Sequence, residues 1–189
     1  MRDLRVNLAV RGGECLIIRG ASGSGKTRLL RAIADLDPAS GEIVLDGVAR
    51  EAIAAPQWRR RICYVSAEPG WWCDTVAPHY PTWPSLLPML GALGLSADHG
   101  ARVVASLSTG ERQRLALLRA LAIEPEVLLL DEPTSALDAA ATRAVEAILQ
   151  DRMEHGLAIL LATHNSAQAE RFGGRHLVLC SATVEATER

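Results

Sequence analysis

Gly20-Ala21-Ser22-Gly23-Ser24-Gly25-Lys26-Thr27 decides the reading of this chain: it sets glycines, the sole lysine and a hydroxyl at the spacing of a phosphate-binding loop. The apolar run Cys15-Leu16-Ile17-Ile18 precedes it, and the helical run Thr27-Arg28-Leu29-Leu30-Arg31-Ala32-Ile33 follows. Strand, loop and helix in that order distinguish a phosphate loop from a chance cluster of glycines. Glycine lets the main chain curl until successive N–H groups point inward, and the helix N-terminus adds a field that favours an anion. Lys26 then reaches the β- and γ-phosphates, and the Thr27 hydroxyl is an oxygen ligand for magnesium. Gly20, Ala21, Ser22, Gly23, Ser24, Gly25, Lys26 and Thr27 are the candidate nucleotide-binding residues.

Composition narrows the class. The 189 residues suffice for one core with a modest insertion. Nineteen arginines and one lysine are offset to a net charge of -2, so no overall basic balance points to nucleic acid. Cys15, Cys63, Cys73 and Cys180 are far apart and lack metal-ligand spacing, which reads as free thiols in a reducing compartment. The start alternates charged and apolar residues, unlike a signal peptide. No apolar run reaches 18 residues, so a membrane connection is expected only through another chain.

Outward from the loop, Leu4, Val6, Leu8 and Val10 alternate with polar or small residues as in a half-buried strand. Asp37-Pro38-Ala39-Ser40-Gly41 breaks the first helix, and Glu42 to Gly47 reads as a strand and turn. Arg61 to Ser66 is a further short strand, and Arg59-Arg60-Arg61 reads as a solvated edge or a contact for acidic groups on a partner. Between positions 69 and 88 lie five of nine prolines and three of four tryptophans, which excludes a regular strand or one continuous helix. Positions 68–112 are therefore expected to be a short, partly helical insertion in a single domain spanning 1–189. Val127 to Leu130 and Leu157 to Ala162 read as buried parallel strands, joined by a crossover helix from Ala139 to His155. Arg175 to Cys180 is the last strand signal. The expected class is α/β: a mostly parallel sheet with flanking helices and a small antiparallel β subdomain near the start.

Leu130-Asp131-Glu132-Pro133 puts two carboxylates at the end of a buried strand, beside the usual ligand crevice. Asp131 is placed to hold magnesium and Glu132 to polarise a water, the division of labour that phosphoryl transfer requires. His164, after the strand that ends at Ala162, either donates to the γ-phosphate or caps the strand end. The other four histidines read as solvent-facing. Ser108, Gly110 and Glu111 open the helix from Arg112 to Ile123, as an anion site, as a capping box, or as both.

In combination and order, these motifs resemble the nucleotide-binding domain of ATP-binding cassette proteins. The resemblance spans nearly the whole chain. It places the signature at Leu107-Ser108-Thr109-Gly110-Glu111, the general base on Glu132, the D-loop at Ser135-Ala136-Leu137-Asp138 and the switch histidine on His164. It implies a magnesium-ATP hydrolase whose catalytic groups are Lys26, Glu132 and His164, with Thr27 and Asp131 at the metal. It further implies head-to-tail pairing, as a homodimer or with another cassette, in which Ser108 and Gly110 serve the partner's ATP. A separate transmembrane permease and a position on the cytoplasmic face of the membrane follow from the same resemblance.

Three departures stand out. The Q-loop glutamine, which touches magnesium and senses the transport partner, falls on Ala67, with Glu68 next to it. Neither tyrosine falls where the family stacks an aromatic ring on adenine. The insertion is also shorter than is common in the family. Trp71 and Trp72, just past the Q-loop, either fill the core of the insertion or offer a docking surface. Two other readings remain: a nucleotide-responsive module with little turnover, and a soluble cassette ATPase without a membrane partner.

Overall fold

A computed structural model describes residues 5–179 and the main chain of 184–187. Its frame is a six-stranded sheet in the order β4-β5-β6-β1-β7-β8. The strands are β1 (Cys15–Arg19), β4 (Ile62–Val65), β5 (Val127–Asp131), β6 (Ala158–Ala162), β7 (Arg175–Leu179) and β8 (Val184–Thr187). The first five of these pair in parallel, and β8 returns antiparallel along β7. A second, two-stranded antiparallel sheet joins β2 (Val44–Leu45) to β3 (Val48–Ala49).

Both faces of the large sheet are dry, which is why its strands read as unbroken apolar runs. Cys15, Ile17, Leu128, Leu130, Ile159 and Leu161 face one apolar layer, shared with α4 (Thr109–Leu121) and α5 (Ala139–Glu154). Leu16, Ile18, Leu129, Leu160 and Ala162 face the other, shared with α1 (Lys26–Ile33) and α2 (Ala55–Arg61). The alternation is the two-residue period of a strand expressed on two buried faces. A tight seam joins β1 to the start of β7, where a Cβ on Gly174 would sit 2.0 Å from the Cys15 carbonyl oxygen. Only a glycine fits there.

Several expectations need correction. Residues 5–10 alternate in burial, and Val6, Leu8 and Val10 touch the second apolar layer, but they form no strand (Leu4 lies outside the described residues). Among the described residues no strand pairs with this segment. Helices α2 and α6 (Ser166–Phe172) were not read from the sequence. In α2 the pattern is too short to register a period, yet Trp58 is fully buried and its indole N–H donates to the Ile33 carbonyl at 2.9 Å. The arginine run at its end is not simply solvated. Arg61 forms a two-pronged pair with Glu126 at 2.5 and 2.7 Å, and Arg59 grips the Asp35 carbonyl. Residues 68–112 contain one short α-helix, α3 (Leu87–Ala92), several short 3-10 segments and, at their end, the first turn of α4.

Removing the Trp58 ring would leave an unfilled hole and an orphaned Ile33 carbonyl. Trp58→Ala should cost about 3–5 kcal/mol in urea unfolding, whereas Trp72→Ala, at a ring left mostly in solvent, should shift stability by no more than about 0.5 kcal/mol.

Candidate functional site

Because β1, β4, β5 and β6 run in parallel, their C-terminal ends lie on one edge of the sheet. The phosphate loop leaves β1 at that edge, Ser66-Ala67-Glu68 leaves β4, Asp131-Glu132 ends β5, and Thr163-His164 follows β6. The loop is shaped by glycine at two decisive points. Gly25 caps α1 with φ 103°, and a Cβ on Gly20 would lie 2.6 Å from both the Leu179 carbonyl and the Ser24 hydroxyl. The buried Lys26 ammonium curls inside its own loop, donating to the carbonyls of Gly20 at 2.8 Å and Ala21 at 3.2 Å. That leaves one of its three protons for a phosphate oxygen.

Thr27 donates its hydroxyl proton to Asp131 Oδ2 at 2.7 Å, a contact between residues 104 apart in sequence. The Tyr64 phenol donates to the same oxygen at 3.1 Å. Burial, and then the Asp131 charge, push the Tyr64 phenol well above its ordinary range, which keeps it protonated and donating. A hydroxyl beside a carboxylate suits magnesium, which takes one or two protein oxygens and leaves its other positions to phosphate and water. No group of three or more histidine, cysteine or acidic residues suited to a metal occurs among the described residues, and such a cage is not what this ion needs.

Glu132 is held in the left-handed region at φ 50°, a costly conformation for a residue with a Cβ. Its N–H donates to the Ala162 carbonyl at 2.9 Å, and its own carbonyl accepts from Gln113 Nε2 at 2.9 Å. The carboxylate then faces His164, whose Nε2 lies 3.4 Å from Oε1. A cleft of about 610 Å³ opens beside this pair, lined in part by Glu132, Ser135, Thr163 and Asn165.

The chain matches the sequence model of the ABC transporter family over residues 4–135. This ties the loop, Asp131 and Glu132 to one lineage. The chain belongs to the ABC transporter family. It is an ATP-binding and ATP-hydrolysing subunit of that family. It is 37% identical over 207 residues to the phosphate import ATP-binding protein PstB 2 of Natronomonas pharaonis, covering 95% of this chain and 72% of that one. It is 39% identical over 183 residues to the aliphatic sulfonates import ATP-binding protein SsuB 2 of Paracoccus denitrificans, covering 92% and 69%. A dimeric ATP-binding cassette solved in a post-hydrolysis state with ADP and Pi superposes with a TM-score of 0.82 at 28% identity, over 95% of this chain and 87% of that one.

Two further regions of this ABC ATPase carry residues singled out from the sequence. At α4, Ser108 Oγ accepts from the Glu111 N–H at 3.1 Å, and Glu111 Oε2 accepts from the Ser108 N–H at 2.7 Å, a complete capping box. The other Glu111 oxygen meets Arg102 at 2.5 Å and His99 at 3.2 Å. The side-chain hydrogen bonds of Ser108 and Glu111 thus stay within residues 99–111. Gly110 packs on the next turn, where a Cβ would stand 3.0 Å from the Ala136 carbonyl. Past β4, Trp71 and Trp72 point in different directions: Trp71 packs against the apolar layer and Trp72 is mostly exposed. The Arg119 guanidinium lies over both rings, 4.8 and 4.7 Å from their centres.

The expectation of solvent-facing histidines holds for His155 but fails for His79 and His99. His79 is buried between the two tryptophan rings, and its Nε2 accepts the N–H groups of Trp72 and Cys73 at 3.0 and 3.1 Å. His99 is bound up with Glu111. Burial pushes the Cys15 thiol up to about 12 and the Cys63 thiol up to about 11, so both stay protonated at neutral pH. Cys180 lies outside the described residues.

Sequence reasoning missed three residues. Tyr64 was read as part of a strand and loop motif only. Gln113 also donates to Ser135 Oγ at 3.2 Å and accepts the Ala136 N–H at 3.2 Å, so it fastens α4 to the turn after Glu132. Gln168 is fully buried and donates to Thr134 Oγ1 at 2.9 Å. A glutamine five residues into a helix was the only visible signal for Gln113.

The Ser108 amide, followed by the neighbouring hydroxyl, guanidinium and imidazole, lowers the Glu111 carboxyl to about 2. The unfolded chain titrates this group near its ordinary value of 4.5, so it binds the proton first as pH falls. The stabilisation is complete above about pH 4.5 and disappears as pH falls towards 2. Glu111→Gln should therefore be less stable than the parent at pH 7, with the gap closing from about pH 5 down to about pH 2 in a series of thermal melts.

Proposed function

We propose that this chain is a single ATP-binding domain working as a magnesium-dependent ATPase subunit. In this reading it pairs head to tail with a second cassette and drives a separate transmembrane permease from the cytoplasmic face of the membrane. The carrying observation is the gathering of the phosphate loop, Asp131, Glu132 and His164 at one edge of the sheet. Among the described residues no helix is long and apolar enough to cross a membrane.

Lys26 holds the terminal phosphates with its remaining proton. Thr27 and Asp131 supply the oxygens for magnesium. Magnesium held by them would offset the negative charge of the phosphates. Glu132 orients a water in line with the γ-phosphate, and His164 donates to that phosphate. Ser108 and Gly110 close over the ATP of the second copy, with Glu111 bracing the turn that presents them. The similar cassette solved as a dimer with ADP and Pi supports this pairing. Relatives named as import ATP-binding proteins support a transport role. The exposed Trp72 ring on its Arg119 stack is the surface best suited to the permease, since rigid aromatics and arginine dominate docking energetics. Ala67 favours one further reading, a nucleotide-responsive module with little turnover.

Hydrolysis and light scattering test these roles together. Glu132→Gln should lower the rate by at least about 100-fold while ATP now holds a stable dimer, and Lys26→Ala should lose ATP binding. Parent-like turnover in Glu132→Gln would remove Glu132 from the mechanism. ATP-driven dimerisation with no hydrolysis in the parent would select the module. A parent that does not bind ATP would defeat both.

A further inference from the structure

We infer that Tyr64 is a positioning residue for Asp131, setting the carboxylate for the cation in a chain whose Q-loop carries Ala67. The inference rests on the magnesium-ATPase reading above. Tyr64 lies on β4 with its Cα in register with Leu129, two residues before Asp131, and its phenol crosses from one strand to the next to reach Asp131 Oδ2. Thr27 donates to that same oxygen from the phosphate-loop helix. Two donors from two elements, converging on one oxygen, fix the rotation of the carboxylate. Its other oxygen, Oδ1, receives no hydrogen bond from the described residues and stays available.

The same geometry orients Thr27. Its only hydroxyl proton is committed to Asp131, so the oxygen's lone pairs remain for a cation. Asp131 is buried, and no arginine, lysine or histidine among the described residues forms an ion pair with it. A buried carboxylate is costly without a charge partner, and two neutral hydroxyl donors compensate only part of that cost. The pair is therefore prepared for a positive ion rather than closed on itself. Three residues beyond Tyr64, the half-buried Ala67 methyl offers nothing to that ion. The neighbouring Glu68 side chain is exposed, and its carbonyl is held by the Ser66 hydroxyl at 2.7 Å. Tyr64 is the polar side chain that β4 sends to the metal-binding carboxylate.

The test uses Mn2+ as the probe, with its binding to the ATP complex of the full chain followed by electron paramagnetic resonance. Glu132→Gln serves as the background so that ATP persists. Adding Tyr64→Phe keeps the ring and removes only the hydroxyl. Mn2+ affinity at saturating ATP should fall about tenfold or more, as for other groups that orient a metal ligand. ATP binding in the presence of a chelator should be unchanged, and the melting temperature of the nucleotide-free protein should hold within about 2 °C. Adding Ala67→Gln should then recover most of the lost Mn2+ affinity. Unchanged or tighter Mn2+ binding in Tyr64→Phe overturns the inference. So does a weakening that comes with an equal loss of metal-free ATP binding and a lower melting temperature, which would make the hydroxyl merely structural. A background protein that takes up no Mn2+ with ATP defeats the magnesium-ATPase reading, and the inference with it.

Discussion

The shared edge of four parallel strands is the constraint on which the rest depends. Pairing β1 with β6, and β6 with β5, sets Ile18 level with Ala162 and Ala162 level with Asp131. One residue of slip would turn Leu128, Leu130, Ile159 and Leu161 from one apolar layer to the other. It would also pull Asp131 out of reach of Thr27. The site is thus held by hydrophobic registration: packing on both faces of the sheet fixes where its polar ends meet. The Thr27–Asp131 hydrogen bond is the local expression of that registration.

Within this frame a strained residue stands at the end of β5, facing His164. Glu132 accepts an unfavourable main-chain conformation because Ala162 and Gln113 bond both ends of its peptide segment. Gln113 belongs to α4, the helix that begins at the Ser108 cap and carries Arg119 towards its other end. A single helix therefore touches the Ser108 turn, the main chain of Glu132 and the tryptophan pair. Such continuity is a physical link between three places that the sequence separates widely.

Legibility in the sequence followed the range of the interactions involved. The phosphate loop and the Asp131-Glu132 pair were readable as patterns because each is written in a few adjacent residues, although their partners are distant. β1, β5 and β6 were readable because burial on both faces leaves an unmistakable apolar run. Residues 5–10 misled for the opposite reason: alternation records which side is buried, but a strand also needs a partner, and no local signal supplies one. Trp58 and α2 were hidden since a seven-residue helix with one large buried ring has no repeat to detect. Gln113, Gln168 and Tyr64 owe their roles to partners 19, 34 and 67 positions away. His79 looked solvated beside its prolines, and only the fold of the insertion brings two indole rings around it.

Lys26 has a consequence beyond phosphate binding. Every other permanent cation in the chain is an arginine, a planar fork that pairs well with carboxylates and does not react with amine-directed reagents under mild conditions. The single ε-amine is buried in the loop and bonded to its carbonyls. Apart from the α-amino group, acylation, reductive methylation or a lysine-specific protease has only this one address. Amine-directed labelling, indiscriminate on most proteins, becomes on this one a footprint of a single loop.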